Sequence, residues 1–142
     1  MVMSQLLAID YGTKRVGLAI SDPQQKISSP LKTVPLKLAI ENIQQISQDY
    51  QIETIILGIP KQKNGQYSEI INQIKEFEVT LNTVLPTVRI IHHEERYTSK
   101  MAQRIVLESG LKKQKRKNKS LLDKISASIL LESYIESVEQ SI

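Results

Sequence analysis

Four acidic residues stand where the predicted secondary-structure elements of this chain begin or end. Asp10 closes the first predicted strand, and Asp123 lies in the first turn of the last predicted helix. Glu94 and Glu95 follow the last predicted strand. Each alone has an ordinary explanation, because Asp is common where a strand turns and favours the dipole of a helix N-terminus. Brought together, such carboxylates would repel one another unless cations bound between them, and hard oxygen ligands suit Mg²⁺ or Mn²⁺.

The helix that carries Asp123 has a further property. The same helical face continues through apolar or aromatic residues at steps of three and four, namely Ala127, Leu130, Tyr134 and Val138. This spacing predicts that the Asp123 carboxylate faces the interior of the protein. A charge in that position needs a partner.

The elements that must position these acids begin with two buried strands, Gln5 to Asp10 and Val16 to Ser21. The turn between them suits an antiparallel hairpin. A third strand is predicted between Ile27 and Val34, and Pro30 and Pro35 favour an edge position for it.

Further along the chain, the spacing of the apolar residues changes from that typical of a strand to that typical of a helix. The remaining predicted elements are a helix over 36–50, a strand over 54–59, a helix from about 68, a strand over 88–92, a helix from Thr98 to Gly110 and a helix over 120–138. This order predicts an α/β fold with a mixed five-stranded sheet, its first three strands antiparallel, flanked by helices and completed through helical crossovers. If the first and last strands are neighbours and the final helix crosses them, Asp10, Glu95 and Asp123 meet at one sheet edge.

The composition excludes several classes of function. At 142 residues the chain has the size of one domain, which we expect to span residues 1–142. The absence of cysteine rules out disulfides, thiolate catalysis and zinc sites built on cysteine. No apolar run is long enough for a membrane span, and the N-terminus lacks the pattern of a signal peptide. We therefore expect a soluble, cytoplasmic protein with no membrane partner.

The net charge of +4 is concentrated in one basic segment, KKQKRKNK, which has six positive residues and no acid. Such a segment is either a solvated loop or a contact for a phosphate backbone. Its position immediately before the helix of Asp123 favours the contact. The positive residues of this basic segment are Lys112, Lys113, Lys115, Arg116, Lys117 and Lys119.

Four separated motifs, in order, make the chain similar to the YqgF/RuvX family, which belongs to the ribonuclease H-like superfamily and is related to the RuvC resolvases. They are DYGT with the following VGLA, GIP with a later NG, HEER with a following Thr98, and DKISASILLESY, and together they span nearly the whole chain. Members of this family are described as Holliday junction resolvases and as nucleases for the 5′ end of pre-16S rRNA. The usual Asp-Glu-Arg of the family is Glu94-Glu95-Arg96 here, so only the first acid departs from the pattern.

The resemblance implies a ribonuclease H-like fold and a catalytic, metal-binding triad of Asp10, Glu95 and Asp123. These acids lead to the hypothesis of two-metal phosphodiester hydrolysis with Mg²⁺ or Mn²⁺, in which Asp10 is the central ligand. Lys14, Arg15, Arg96 and the basic segment are then predicted to hold phosphates. Glu94 is a secondary candidate for the site.

The residues leave the substrate open. The resemblance favours the small-subunit precursor and its pre-16S rRNA, while a resolvase acting on branched DNA remains the alternative. A resolvase normally acts as a dimer, and the sequence leaves open whether this protein is a monomer or a homodimer. A nucleic-acid-binding module with inert acids is a third possibility. Phosphate-binding ATPases of the sugar-kinase and actin type share an Asp-x-Gly-Thr hairpin, but they need two domains and this chain has room for one. We expect structural roles for His92 and His93, because oxygen-rich Mg²⁺ sites rarely use imidazole.

Overall fold

A computed structural model describes residues 3–60, 68–95, 105 and 119–140 of the chain. Within these residues the strands are β1 (Gln5–Tyr11), β2 (Arg15–Ser21), β3 (Ser28–Pro35), β4 (Ile52–Pro60) and β5 (Arg89–Glu95). The long helices are α1 (Leu36–Asp49), α2 (Ser68–Val84) and α3 (Lys119–Gln140).

The five strands form one mixed sheet in the order β3-β2-β1-β4-β5. Strands β1, β2 and β3 pair antiparallel, while β4 lies parallel to β1 and β5 lies parallel to β4. The prediction of a mixed five-stranded sheet that opens with three antiparallel strands is confirmed. The predicted edge position of β3 is also correct, since its prolines leave fewer N–H groups to pair with a neighbour on both sides.

The two faces of the sheet carry separate apolar cores. Residues that alternate along β1, such as Leu7 and Ile9, pack with α1 and α2 on one face. The intervening residues Leu6 and Ala8 pack with α3 on the other face. Because successive side chains of a strand point to opposite faces, the position of each strand residue shows which helices it meets.

The start of α1 shows how local sequence and tertiary contacts combine. Pro35 precedes the helix and offers no side-chain cap. The backbone N–H of Leu36 instead donates to the carbonyl of Lys14, with 2.9 Å between the two atoms. This bond satisfies one of the free N–H groups at the helix N-terminus and joins α1 to the β1–β2 turn.

Two predictions need correction, and one condition is not met. The condition that the first and last strands are neighbours fails, because β4 lies between β1 and β5. Glu94 and Glu95 belong to β5 rather than following it, since parallel pairing with β4 continues as far as Glu95. Asp123 lies in the second turn of α3, because that helix begins at Lys119. The predicted helix from Thr98 to Gly110 falls mostly outside the described residues.

None of the helices in the described ranges combines the length and apolarity that crossing a membrane requires.

Candidate active site

Asp10 lies near the end of β1, on the face of the sheet that α3 covers. Its neighbour two residues earlier, Ala8, is fully buried against α3, and the alternation of the strand places Asp10 on the same side. Across the antiparallel pair, Asp10 is in register with Gly17 of β2. The carboxylate therefore stands between the sheet and the N-terminal half of α3.

Glu95 reaches Asp10 over the intervening strand. It is the last residue of β5 and lies on the α3 side of the sheet, in step with Ile91. A Cβ atom added to Gly58 of β4 would collide with the carboxylate of Glu95, and it would lie 2.9 Å from Cδ2 of Leu130. The side chain of Glu95 thus passes through the space that the absent side chain of Gly58 leaves.

Asp123 enters the site from α3. A Cβ atom on Gly17 would overlap the backbone carbonyl of Asp123, so the helix backbone lies directly against β2 at this point. The carboxylate accepts a hydrogen bond from Arg15, with 2.7 Å between Nε and Oδ2. Arg15 is the first residue of β2, so this ion pair joins the start of the strand to the second turn of the helix.

The carboxyl group of Asp10 is the electrostatic centre of the cluster. Burial is the largest cause that raises its pKa well above the usual value of an aspartate. A hydrogen bond with the side chain of Glu95 and the charges of Glu95 and Asp123 raise it further. A buried carboxyl surrounded by acids binds a proton readily, and a cation can take the place of that proton.

The donor set fits a hard divalent cation, because every acid of the cluster offers carboxylate oxygens and Asp10 is crowded by two more acids. The acids are nevertheless not gathered into a ready ligand set. Among residues 3–60, 68–95 and 119–140, no three His, Cys, Asp or Glu side chains converge closely enough to hold a metal ion. Asp10 contacts Glu95, whereas Asp123 is paired with Arg15.

Of the cationic residues predicted to hold phosphate, three lie in the described part of the chain. Arg15 lies within the site, and Lys14 and Lys119 are exposed beside it. Lys14 lies in the β1–β2 turn, and Lys119 begins α3. The hydroxyl of Thr33 donates a hydrogen bond to the carbonyl of Ser120 and so holds the start of α3 against β3. The other predicted contacts, Arg96, Lys112, Lys113, Lys115, Arg116 and Lys117, lie outside the described residues.

His92 and His93 have partners away from the acids of the site. Nε2 of His92 lies 2.6 Å from Oε1 of Glu78 on α2. His93 lies 3.0 Å from the hydroxyl of Ser133, and its ring makes an edge-on contact with Tyr134 at a centroid distance of 5.6 Å. Both contacts fit the structural roles predicted for these residues.

Glu94 is adjacent to Glu95 in β5, but its Cβ leaves the strand on the opposite side. At this edge of the sheet it lines a polar groove of about 440 Å³ beside the C-terminal half of α3. The other residues of this groove are His93, Ser133, Glu136, Ser137 and Gln140. The groove offers acids and no lysine or arginine, so it does not suit a phosphate backbone.

Gly17 and Gly58 belong to the sequence motifs, but sequence reasoning missed what they do. Each glycine lies inside a strand, where the residue lowers stability unless another group must approach the backbone closely. Gly17 admits the backbone of α3, and Gly58 admits the side chain of Glu95. A glycine in a strand interior, level with a predicted site acid, was the signal that could have identified both.

A known protein family and several individual proteins are similar to this chain over nearly its whole length. The model of the RuvX family, described as Holliday junction resolvase, matches residues 4–137. A protein of Bacteroides fragilis is 45% identical over 134 residues, which cover 94% of this chain and 97% of the relative. A Porphyromonas gingivalis protein is 40% identical over 138 residues, covering 97% of this chain and all of the relative. Both relatives are named "Putative pre-16S rRNA nuclease".

Solved structures of RuvC from Thermus thermophilus share the fold. The RuvC chain in complex with a Holliday junction substrate aligns with a TM-score of 0.58 at 13% identity, covering 96% of each chain. A second structure of Thermus thermophilus RuvC gives a TM-score of 0.59 at 11% identity with the same coverage. The chain thus has a RuvC-like, ribonuclease H-like fold.

Proposed function

The chain belongs to the RuvX family, and from that premise we propose that it is a metal-dependent nuclease that processes the 5′ end of pre-16S rRNA. The observation that carries the proposal is the cluster of Asp10, Glu95 and Asp123 on one face of the sheet. A hydrogen bond joins the first two carboxyls, and the third acts electrostatically on Asp10. Crowded carboxylates attract cations, and many nucleases use metal ions at the scissile phosphate.

The proposed ligands are Asp10, Glu95 and Asp123, and the metal is Mg²⁺ or Mn²⁺ in a two-metal arrangement. When bound, these ions supply an activated water for in-line attack on phosphorus and stabilise the charge that develops on the leaving oxygen. Asp10 is the central ligand, because it is the most crowded of the three acids. Its partial burial also reduces screening by water and strengthens its attraction for a cation.

The remaining residues of the cluster position the acids and the substrate. Gly58 keeps open the space through which Glu95 reaches Asp10, and Gly17 lets α3 bring Asp123 close to β2. Lys14 and Lys119 are exposed beside the acids and would hold the phosphates that flank the scissile bond. Arg15, Arg96 and the basic segment are proposed to add contacts of the same kind.

A Holliday junction resolvase is the second candidate, which the description of the family model and the fold shared with RuvC favour. Two features weigh toward the rRNA precursor. The relatives with 40% and 45% identity over nearly the full chain carry the pre-16S rRNA name. The likeness to RuvC is at 13% identity and concerns the fold.

A side-by-side cleavage assay tests the proposal. Wild type, Asp10→Asn and the control Glu53→Gln are each given a pre-16S leader RNA and a four-way DNA junction, with Mg²⁺, Mn²⁺ or a chelator. Glu53 is an exposed acid at the start of β4, so Glu53→Gln removes the same charge outside the site. We expect wild type and Glu53→Gln to cut the RNA only with metal, and Asp10→Asn to be slower by about 100-fold or more, as for other removed electrostatic groups.

The other outcomes separate the alternatives. Cleavage of the junction in preference to the RNA would assign the resolvase function. Binding of nucleic acid without cleavage by any variant would indicate a module with inert acids. Equal cleavage by wild type and Asp10→Asn would contradict the proposed metal site.

A further inference from the structure

The ion pair between Arg15 and Asp123 occupies one of the proposed metal ligands. Nε of Arg15 donates to Oδ2 of Asp123 over 2.7 Å, and 34% and 28% of the two side chains remain exposed. A carboxylate oxygen that accepts a charge-assisted hydrogen bond at this distance has part of its charge neutralised. Asp123 is therefore a weaker cation ligand while this pair persists.

The arrangement of the acids agrees with this competition. In the described residues the acids do not form a metal-binding group of three, although Asp10 contacts Glu95 and lies within electrostatic reach of Asp123. Asp123 is the member whose carboxylate is engaged outside the acid cluster. The close contact of its backbone with Gly17 fixes the helix at this point, so the side chain of Asp123, rather than α3, has to change partner.

We propose that the ion pair between Arg15 and Asp123, called the lock below, keeps Asp123 from binding the metal. A phosphate group of the nucleic acid opens the lock by binding the guanidinium of Arg15 in place of Asp123. The proposal rests on the proposed function, because it requires Asp123 to be a metal ligand. Arginine suits the exchange, since its planar group binds phosphate and carboxylate with the same fork of N–H donors. Its partial exposure leaves it accessible to a phosphate at the protein surface.

The lock makes the binding of metal and of nucleic acid cooperative. Nucleic acid that engages Arg15 frees Asp123, so the metal binds more tightly, and thermodynamic linkage requires the reverse effect to be equal. The site would then assemble fully only on substrate.

Titration with Mn²⁺ tests the lock without relying on activity. The affinity of wild type, Arg15→Gln and Lys14→Gln for Mn²⁺ is measured by calorimetry without RNA. The titrations of wild type and Arg15→Gln are then repeated with a leader RNA that carries a hydrolysis-resistant linkage at the 5′ cleavage site and that a gel shows to be uncut, after subtraction of an RNA-only titration. Lys14 is the adjacent cation, so Lys14→Gln removes the same charge but leaves the ion pair with Asp123 intact. Circular dichroism of each variant verifies that the protein titrated is folded.

In the absence of RNA, we expect Arg15→Gln to bind Mn²⁺ at least about 5-fold more tightly than Lys14→Gln, which is the lower end of typical coupling between sites. RNA should tighten Mn²⁺ binding by wild type and have little effect on Mn²⁺ binding by Arg15→Gln. Equal affinities of the two variants, or weaker binding by Arg15→Gln, would overturn the lock while leaving the metal site standing. If wild type and both variants fail to bind Mn²⁺, the proposed metal site is wrong and the lock falls with it.

Discussion

Gly58 leaves the space through which Glu95 crosses β4. Because β4 separates β1 from β5, an acid at the end of β5 can meet Asp10 only if the residue between them has no side chain in the way. A Cβ at Gly58 would collide with the Glu95 carboxylate and press on Leu130. A single absent side chain thus decides whether two of the three proposed ligands meet.

We expect Gly58→Ala to displace Glu95 and to weaken Mn²⁺ binding by about 10-fold or more, while overpacking costs roughly 1–3 kcal/mol of stability. Isothermal titration with Mn²⁺ and urea denaturation measure the two effects. Ile59→Val is the matched control, because Ile59 is the next residue of β4 and packs on the opposite face. Unchanged Mn²⁺ affinity in Gly58→Ala would show that Glu95 does not need this space.

Asp22 has the role of a turn residue. Its carboxylate accepts backbone N–H bonds from Ile27 and Lys26 at 2.8 Å and from Gln24 at 3.2 Å. These bonds, led by that from Ile27, lower the pKa of Asp22. They hold the β2–β3 loop, in which Gln25 adopts a φ of 58°.

We expect Asp22→Asn to lose about 1 kcal/mol of stability at pH 7, because its amide accepts fewer of these bonds. A pKa that is lower in the folded than in the unfolded protein stabilises the folded state at pH values above the unfolded-state pKa. This stabilisation is lost as the pH falls through the folded-state pKa. The difference in the free energy of unfolding between Asp22→Asn and wild type, measured by urea denaturation, should therefore shrink as the buffer is acidified toward about pH 3. Glu53→Gln, which also removes one exposed acid, should stay within about 0.5 kcal/mol of wild type. A difference for Asp22→Asn that did not depend on pH would contradict the charged bonds.

At the scale of elements, α3 both covers one face of the sheet and carries Asp123. The helical face predicted from the spacing is buried at Ala127 and Leu130, and Tyr134 is partly buried. Val138, at the end of the same face, is 42% exposed. The helix thus packs on the sheet along its middle and extends beyond it.

This difference in burial predicts that shortening two side chains of the same helical face lowers the stability of the protein by unequal amounts. Leu130→Ala should destabilise the protein by about 2–5 kcal/mol, because it opens a cavity beside Gly58. Val138→Ala should cost no more than about 0.5 kcal/mol. Urea denaturation of both variants provides the comparison. Similar losses would mean that α3 is anchored along its whole length.

At the scale of the whole molecule, charge is divided between the two ends of α3. Lys119 begins the helix, at the end that carries Asp123. The second half of the helix carries Glu132, Glu136 and Glu139 without a lysine or arginine between residues 125 and 140. A phosphate backbone at the proposed site would therefore be attracted toward the start of α3 and repelled from its end.

We expect the double variant Lys14→Ala/Lys119→Ala to bind RNA more weakly and with a flatter dependence on salt. The slope of the logarithm of the binding constant against the logarithm of the salt concentration should decrease in magnitude by roughly 0.7–0.9 for each phosphate that the protein no longer neutralises. Lys75→Ala/Arg89→Ala removes the same charge from α2 and the start of β5, away from the acids. Fluorescence anisotropy over a range of salt concentrations measures both slopes. Equal slopes in the two double variants would assign the effect to net charge.

Local patterns in the sequence predicted the elements and their periods. Short apolar runs marked β1 and β2, three-four spacing marked the helices, and the prolines of β3 indicated an edge strand, because these signals depend on residues close together in the chain. Acids at element ends and the motifs around them also identified Asp10, Glu95 and Asp123 as candidates. Local chemistry was sufficient for each of these inferences.

How the acids approach one another depends on contacts between distant parts of the chain. Strand order is set by packing between distant segments, so the sequence left open that β4 separates β1 from β5. The passage of Glu95 over Gly58, the contact of α3 with Gly17 and the pairing of Arg15 with Asp123 each join residues from different elements. Such contacts depend on distances in space, which the order of residues along the chain does not encode locally.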